Sequence, residues 1–147
     1  MGLSRLSHAK LLPSFVCAHL TAHDYNIARR IADYHHIVGS LLFPPLTGSN
    51  TGVSTTIYST SHLFFLGDLN FRLDLPPTSP YAGSANAHRV EAALDTQSGR
   101  EELKEFDQLS QERMKHAIFH GFREVNFWDF KCTYKYKIGE VDKYRFV

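Results

Sequence analysis

Two short apolar runs, each ending abruptly in polar residues, constrain this chain more than any other feature. The first, Leu11 to Leu20, passes through His19 into Thr21-Ala22-His23. The second, His62 to Leu66, runs into Gly67-Asp68-Leu69-Asn70. Neither is long enough to span a bilayer. Short apolar runs bounded by polar breaks read as buried strands. Between them, Ile27, Ile31, Tyr34, Ile37, Val38 and Leu41 recur at helical spacing, so one helix face packs against something. Asp24 can cap that helix, which is expected to run to about Leu42. Arg29, Arg30 and Asp33 are expected on its outer side, and Pro44 and Pro45 stop it.

Further along, Thr47 to Thr56 and Pro76 to Gly83 read as loops. Helical patterns cover Asn86 to Leu94 and Glu101 to Met114, the second with Leu103, Phe106 and Leu109 on one face. After Gly121 the pattern becomes aromatic and strand-like through Val125, Phe127, Phe130, Tyr134 and Tyr136. Strand, helix, strand, helices, strand is the order of an α/β fold with helices packed on a sheet. Sites in such folds lie in loops beyond strand ends.

Composition narrows the function class. The chain has 147 residues, 43% hydrophobic and 21% charged, as expected of one globular domain. A net charge of +1 supplies no field for nucleic acid, and no nucleic-acid partner is expected. Charge is uneven, however: Lys131 to Arg145 holds five Lys or Arg and two acids. Cys17 and Cys132 form neither a disulfide framework nor a zinc spacing. Cys17 lies in an apolar run and is expected to be a buried free thiol in a reducing compartment. Residues 1–18 set basic residues before a short apolar stretch, the order of a signal peptide, but Pro13 interrupts the stretch and its apolar part reads equally well as a strand. Gly2 is followed by Leu6 where a myristoylation motif needs Ser or Thr.

Three groups could carry chemistry. Asp68 and Asn70 are two apart, so in extended backbone they share a face. The carboxylate can take a proton from water or hold a cation, and the carboxamide can donate to a developing anion. A plain Asp/Asn turn explains the same residues, and on their chemistry alone it is the stronger reading. His19 ends the first strand as Asp68 ends the second; a lone His there is more often a structural hydrogen-bonder. His23 is four residues on, but the strand ends between them, so the spacing does not indicate zinc. Thr133-Tyr134-Lys135-Tyr136-Lys137 offers an ammonium and a phenol to a phosphate. An amphipathic strand with Lys outward is the stronger reading of these residues alone.

Order and company decide. CAHLTAHDYNIARRIADYHHI, FLGDLNFRLDL, FDQLSQER and FREVNFWDFKCTYKYK occur in that order. Together they resemble the inositol polyphosphate 5-phosphatases of the DNase I-like endonuclease/exonuclease/phosphatase superfamily. The resemblance covers Phe15 to about Tyr144. Ala18 and Cys132 stand where the family has Ser and Pro. Residues 1–14 have no counterpart, which leaves 15–147 as part of a catalytic domain. The resemblance implies part of a four-layer α/β sandwich, with mixed β-sheets flanked by helices.

It also implies roles. The family hydrolyses the 5-phosphate of phosphoinositides or soluble inositol phosphates with Mg²⁺. Asp68 would orient or deprotonate the water, Asn70 would donate to a phosphate oxygen, and His19 would contact the same phosphate. Tyr134 and Lys135 would hold the neighbouring 4-phosphate, and Arg72 would support the Asp68 loop. The family's principal metal ligand and its later Asp-His pair have no counterpart here, so this chain alone is expected to show little activity. A cytoplasmic protein with transient membrane contact is implied; Leu75 to Tyr81 is the loop apolar enough to make it. The competing functions are a non-catalytic phosphoinositide-binding module, another DNase I-like enzyme such as a nuclease, and a non-functional fragment.

Overall fold

The computed structural model describes residues 13–43, 54–83, 86–126, 131–140 and 143–145. The chain divides into two compact units, Met1–Asn70 and Phe71–Val147.

The first unit is built on two parallel strands, β1 (Pro13–His19) and β4 (His62–Asp68). Their register is fixed from Pro13 opposite His62 to His19 opposite Asp68. The connection contains α1 (Ile27–Ser40), preceded by a 3-10 turn over Asp24–Asn26. It also contains a short antiparallel pair, β2 (Leu42–Phe43) with β3 (Thr55–Thr56). Asp24 lies inside the 3-10 turn, and α1 has no side-chain cap. The helix ends at Ser40, before Pro44 and Pro45, which lie outside the described residues.

Alternation along β1 buries Val16 and Ala18 and leaves Phe15 and Cys17 exposed. The expected burial of Cys17 is therefore corrected: successive side chains on a strand point to opposite faces. Phe15 stacks instead on exposed Phe64 of the paired strand, with ring centroids 5.0 Å apart. On the other face, Tyr34 of α1 packs on Phe65 and its hydroxyl lies 3.2 Å from that of Tyr58.

Arg30 and Asp33 also depart from expectation. Arg30 is completely buried, and its guanidinium donates to the carbonyls of Thr21, His23 and Asp24. Asp33 accepts from the Thr21 backbone N–H at 2.9 Å and its hydroxyl at 2.6 Å. The helix thus ties down the loop after β1 with polar side chains, because that loop's backbone groups need partners once covered.

In the second unit, α2 (Ala87–Leu94) and α3 (Gln97–Lys104) are followed by α4 (Gln108–Met114). The single helix expected over Glu101 to Met114 is two helices. Asp107 caps α4 by accepting from the Ser110 N–H at 2.8 Å, as Asp favours caps over helix interiors. Residues around it pair sideways. Asp74 N–H donates to Phe106 O at 2.8 Å and Gln108 N–H to Arg72 O at 3.0 Å. Ala93, Leu94, Leu103 and Tyr144 form the core, with Leu73, Tyr81, Val90, Cys132 and Tyr136 packed against it. The strand expected after Gly121 is reduced, among the described residues, to a bridge between Tyr136 and Tyr144; Phe127 and Phe130 lie outside them. No described helix is long and apolar enough to cross a membrane.

Gly67 controls the β1–β4 junction. Its φ is +125°, and a Cβ there would lie 2.0 Å from the Ala18 carbonyl oxygen. Gly67→Ala is expected to destabilise the first unit by at least ~1–3 kcal/mol from backbone strain alone. Chemical denaturation measures it; a midpoint equal to wild type would refute the close approach.

Candidate functional site

Parallel pairing brings two polar strand ends together. Because His19 and Asp68 are register partners at the ends of β1 and β4, their side chains emerge side by side. His19 Nε2 lies 3.8 Å from Asp68 Oδ2, and both side chains are largely exposed, at 75% and 62%. That separation is too long for a direct hydrogen bond. A third atom, such as a water or phosphate oxygen, could touch both groups.

The turn beyond β4 is organised around Asn70. Its φ of +56° is left-handed, a region Asn tolerates better than most residues. Its backbone N–H donates to Asp68 Oδ1 at 3.1 Å, and its carboxamide donates to the Leu20 carbonyl at 2.9 Å. The Leu20 N–H in turn donates to Asp68 O at 3.0 Å. The Asp/Asn turn read from composition is therefore present, and it also aims a site. One Asp68 oxygen is anchored to the turn while the other faces His19. Asn70 has a structural role, joining the loops beyond β1 and β4, beside the phosphate contact the resemblance implies.

The Arg30 and Asp33 clasp positions the chain just beyond His19, and its role was missed. A signal was available: Arg30 lies three residues after Ile27 and four before Tyr34, on the inward stripe. The Thr21 hydroxyl, then the Thr21 N–H, hold the Asp33 carboxyl below its usual range.

Arg72, Tyr134 and Lys135 belong to the second unit. Arg72 is held through its backbone: its N–H donates to the Gln108 side chain at 3.1 Å, and its carbonyl accepts from the Gln108 N–H. Tyr134 is 75% exposed, and the Lys135 ammonium sits 5.8 Å from its ring centroid. The next residue, Tyr136, turns inward and stacks on Tyr144 at 4.8 Å. Burial, then the Tyr136 hydrogen bond, push the Tyr144 phenol well above its usual range. The second unit also holds a cleft of about 680 Å³ bordered by Lys104, Arg113, His116, Phe119 and His120, which contains none of these site residues.

No three His, Cys, Asp or Glu side chains cluster to hold a metal among the described residues. The His19–Asp68 pair does not by itself make a divalent-cation site.

The sequence matches endonuclease/exonuclease/phosphatase family 2 over residues 4–145, and the chain belongs to that family. Its relatives include a synaptojanin and proteins named as phosphatidylinositol phosphate 5-phosphatases. The chain is 34% identical over 127 residues to synaptojanin-2 of Rattus norvegicus, covering 86% of this chain and 7% of that protein. It is 33% identical to phosphatidylinositol 3,4,5-trisphosphate 5-phosphatase 1 of Xenopus laevis, covering 88% and 12%. It is 34% identical to phosphatidylinositol polyphosphate 5-phosphatase type IV of Rattus norvegicus, covering 86% and 19%. The chain thus spans under a fifth of the length of these relatives.

Among solved structures it resembles the inositol polyphosphate 5-phosphatase domain of SPsynaptojanin, in complex with inositol (1,4)-bisphosphate and calcium ion. The TM-score is 0.63 at 27% identity, covering 90% of this chain and 33% of that one. The fold is accordingly part of a DNase I-like α/β domain.

Replacing Asp33 with Asn is expected to remove stability that is present above the ordinary carboxylate value of 3.8. The folded-state pKa is the lower one, so wild type loses this contribution as pH falls below 3.8 and through that value. Denaturation midpoints of wild type and Asp33→Asn should therefore differ at neutral pH and converge in acid. A constant difference would show that Asp33 acts without its charge.

Proposed function

We propose that this chain supplies the water-orienting and phosphate-holding residues of a phosphoinositide or inositol polyphosphate 5-phosphatase. The observation that carries the reading is the pairing of His19 with Asp68 at 3.8 Å on adjacent parallel strand ends. In this reading Asp68, anchored by the Asn70 N–H, orients water and takes its proton as the water attacks phosphorus; the bond from phosphorus to the inositol 5-oxygen breaks, inorganic phosphate leaves, and the inositol oxygen takes up a proton from solvent. His19 and the Asn70 carboxamide hold the oxygens of the 5-phosphate. Tyr134 and Lys135 hold the neighbouring phosphate, the phenol giving direction and the ammonium charge. Arg72, braced by Gln108, keeps the segment after Asn70 in place. Magnesium dependence belongs to this reading, with the cation's ligands coming from outside the described residues. The phosphatidylinositol phosphate 5-phosphatases among the relatives, and the inositol (1,4)-bisphosphate in the matched structure, support the substrate class. Cytoplasmic location, with membrane contact when the substrate is a lipid, follows from the same reading.

Exposed Tyr134 with Lys135 beside it favours one second reading, a module that binds phosphoinositides without hydrolysing them. Because this chain alone is expected to release little phosphate, the two are separated by phosphate release from a 4,5-bisphosphorylated phosphoinositide with Mg²⁺, measured on this chain joined to the remainder of a family domain. Turnover should fall about 10²–10⁴-fold in Asp68→Ala, the usual contribution of a positioned base. Binding without release would select the second reading, and unchanged turnover in Asp68→Ala would remove Asp68 from the chemistry.

Lys135→Ala should weaken binding of soluble inositol (1,4)-bisphosphate by roughly tenfold or more, the loss of one charge-assisted hydrogen bond. Titration calorimetry measures it. Equal affinity would exclude Lys135 as a phosphate ligand.

A further inference from the structure

Residues 135–137 pair antiparallel with residues 143–145. Lys137 N–H donates to Lys143 O at 2.9 Å, Arg145 N–H donates to Lys135 O at 2.7 Å, and Tyr136 bridges Tyr144 between them. This register sets cation beside cation twice, Lys137 with Lys143 and Lys135 with Arg145. Like charges placed opposite each other repel, so the ribbon is held together despite its charges. Its support is the inward Tyr136–Tyr144 stack. Glu140 pairs with Lys143 at 2.8 Å, so that with Asp142 counted against them Lys135, Lys137 and Arg145 still leave the segment net positive. Directly after Lys137, beside Gly139 with its φ of +81°, Ile138 is 97% exposed.

An almost fully exposed isoleucine next to two paired, cation-bearing stretches fits one kind of partner. We infer that the Ile138 turn is a docking element for an anionic lipid surface, with Ile138 entering the headgroup region and Lys137 and Arg145 meeting lipid phosphates. Apolar insertion and electrostatic attraction are the two terms of peripheral membrane binding, and this turn presents both together. The inference deepens the reading above by selecting a lipid-borne substrate over a soluble one. It also moves the contact away from Leu75 to Tyr81. There Ser79 is buried, Tyr81 packs on the core, and the Tyr81 hydroxyl donates to Glu102 at 2.7 Å.

The test is co-sedimentation of the full chain with phosphatidylcholine vesicles, with and without phosphatidylserine and without any inositol lipid. Binding should require phosphatidylserine and weaken with salt. Ile138→Ser should lower it about tenfold, and Lys137→Ala about fivefold. Glu140→Gln, which releases Lys143, should raise it about fivefold. Ile138 is exposed, so its replacement should leave the denaturation midpoint unchanged. No binding to phosphatidylserine vesicles, or binding indifferent to Ile138→Ser, would overturn the inference. So would equal binding to a single-stranded oligonucleotide, which marks a general polyanion surface. Soluble inositol (1,4)-bisphosphate binding separates the two proposals. Its loss in wild type, with vesicle binding intact, would count against the phosphatase reading alone. Its persistence without vesicle binding would count against the docking turn alone.

Discussion

The parallel pairing of β1 with β4 is the constraint on which the first unit depends. Parallel strands need a long crossover, and in exchange they end at the same edge of the sheet. Antiparallel strands would carry His19 and Asp68 to opposite ends. Gly67 sets how close the two strands come, because only a residue without Cβ can press against the Ala18 carbonyl. The contact between His19 and Asp68 is thus a consequence of backbone register more than of any attraction between the two side chains. Both are exposed enough for solvent to screen such an attraction.

Register alone would leave the loops beyond the strands free to move. Polar side chains hold them. Asn70 links its own turn to the Leu20 carbonyl, and Arg30 gathers three carbonyls of the chain that follows. A buried guanidinium is costly to desolvate, and its bonds to carbonyls offset that cost. The second unit uses the same device with neutral groups. Gln108 brackets Arg72 with both its side chain and its backbone, and Asp107 starts the helix beside it. In each unit a loop segment is held by hydrogen bonds that cross long stretches of sequence.

Charged residues were harder to place than apolar ones, and the reason is physical. An apolar run states its own preference for burial. An arginine can lie on either side of a helix, depending on whether carbonyls wait for it. Arg30 was expected outside and is buried because the Thr21 to Asp24 loop needs donors. Cys17 was expected inside and is exposed because strand alternation assigns it to the Phe15 face. The expected single helix over Glu101 to Met114 was broken by Asp107, whose side chain caps the next helix while its neighbours pair with residues 72–74.

The α/β class, the two strand ends and the residues on them are legible in the chain before any folding is considered. Short apolar runs, helical periodicity and polar terminators are local properties that need no neighbour to be read. The sequence also carried the family, through motifs in a fixed order. That His19 faces Asp68, that Asn70 spans two loops, and that Arg30 and Asp33 belong to one arrangement are products of the fold. So is the position of Ile138 directly beyond two paired, cation-bearing stretches. These are relations between residues far apart in the chain. They follow from register and from which backbone groups are left needing partners, and neither is written in any single stretch of sequence.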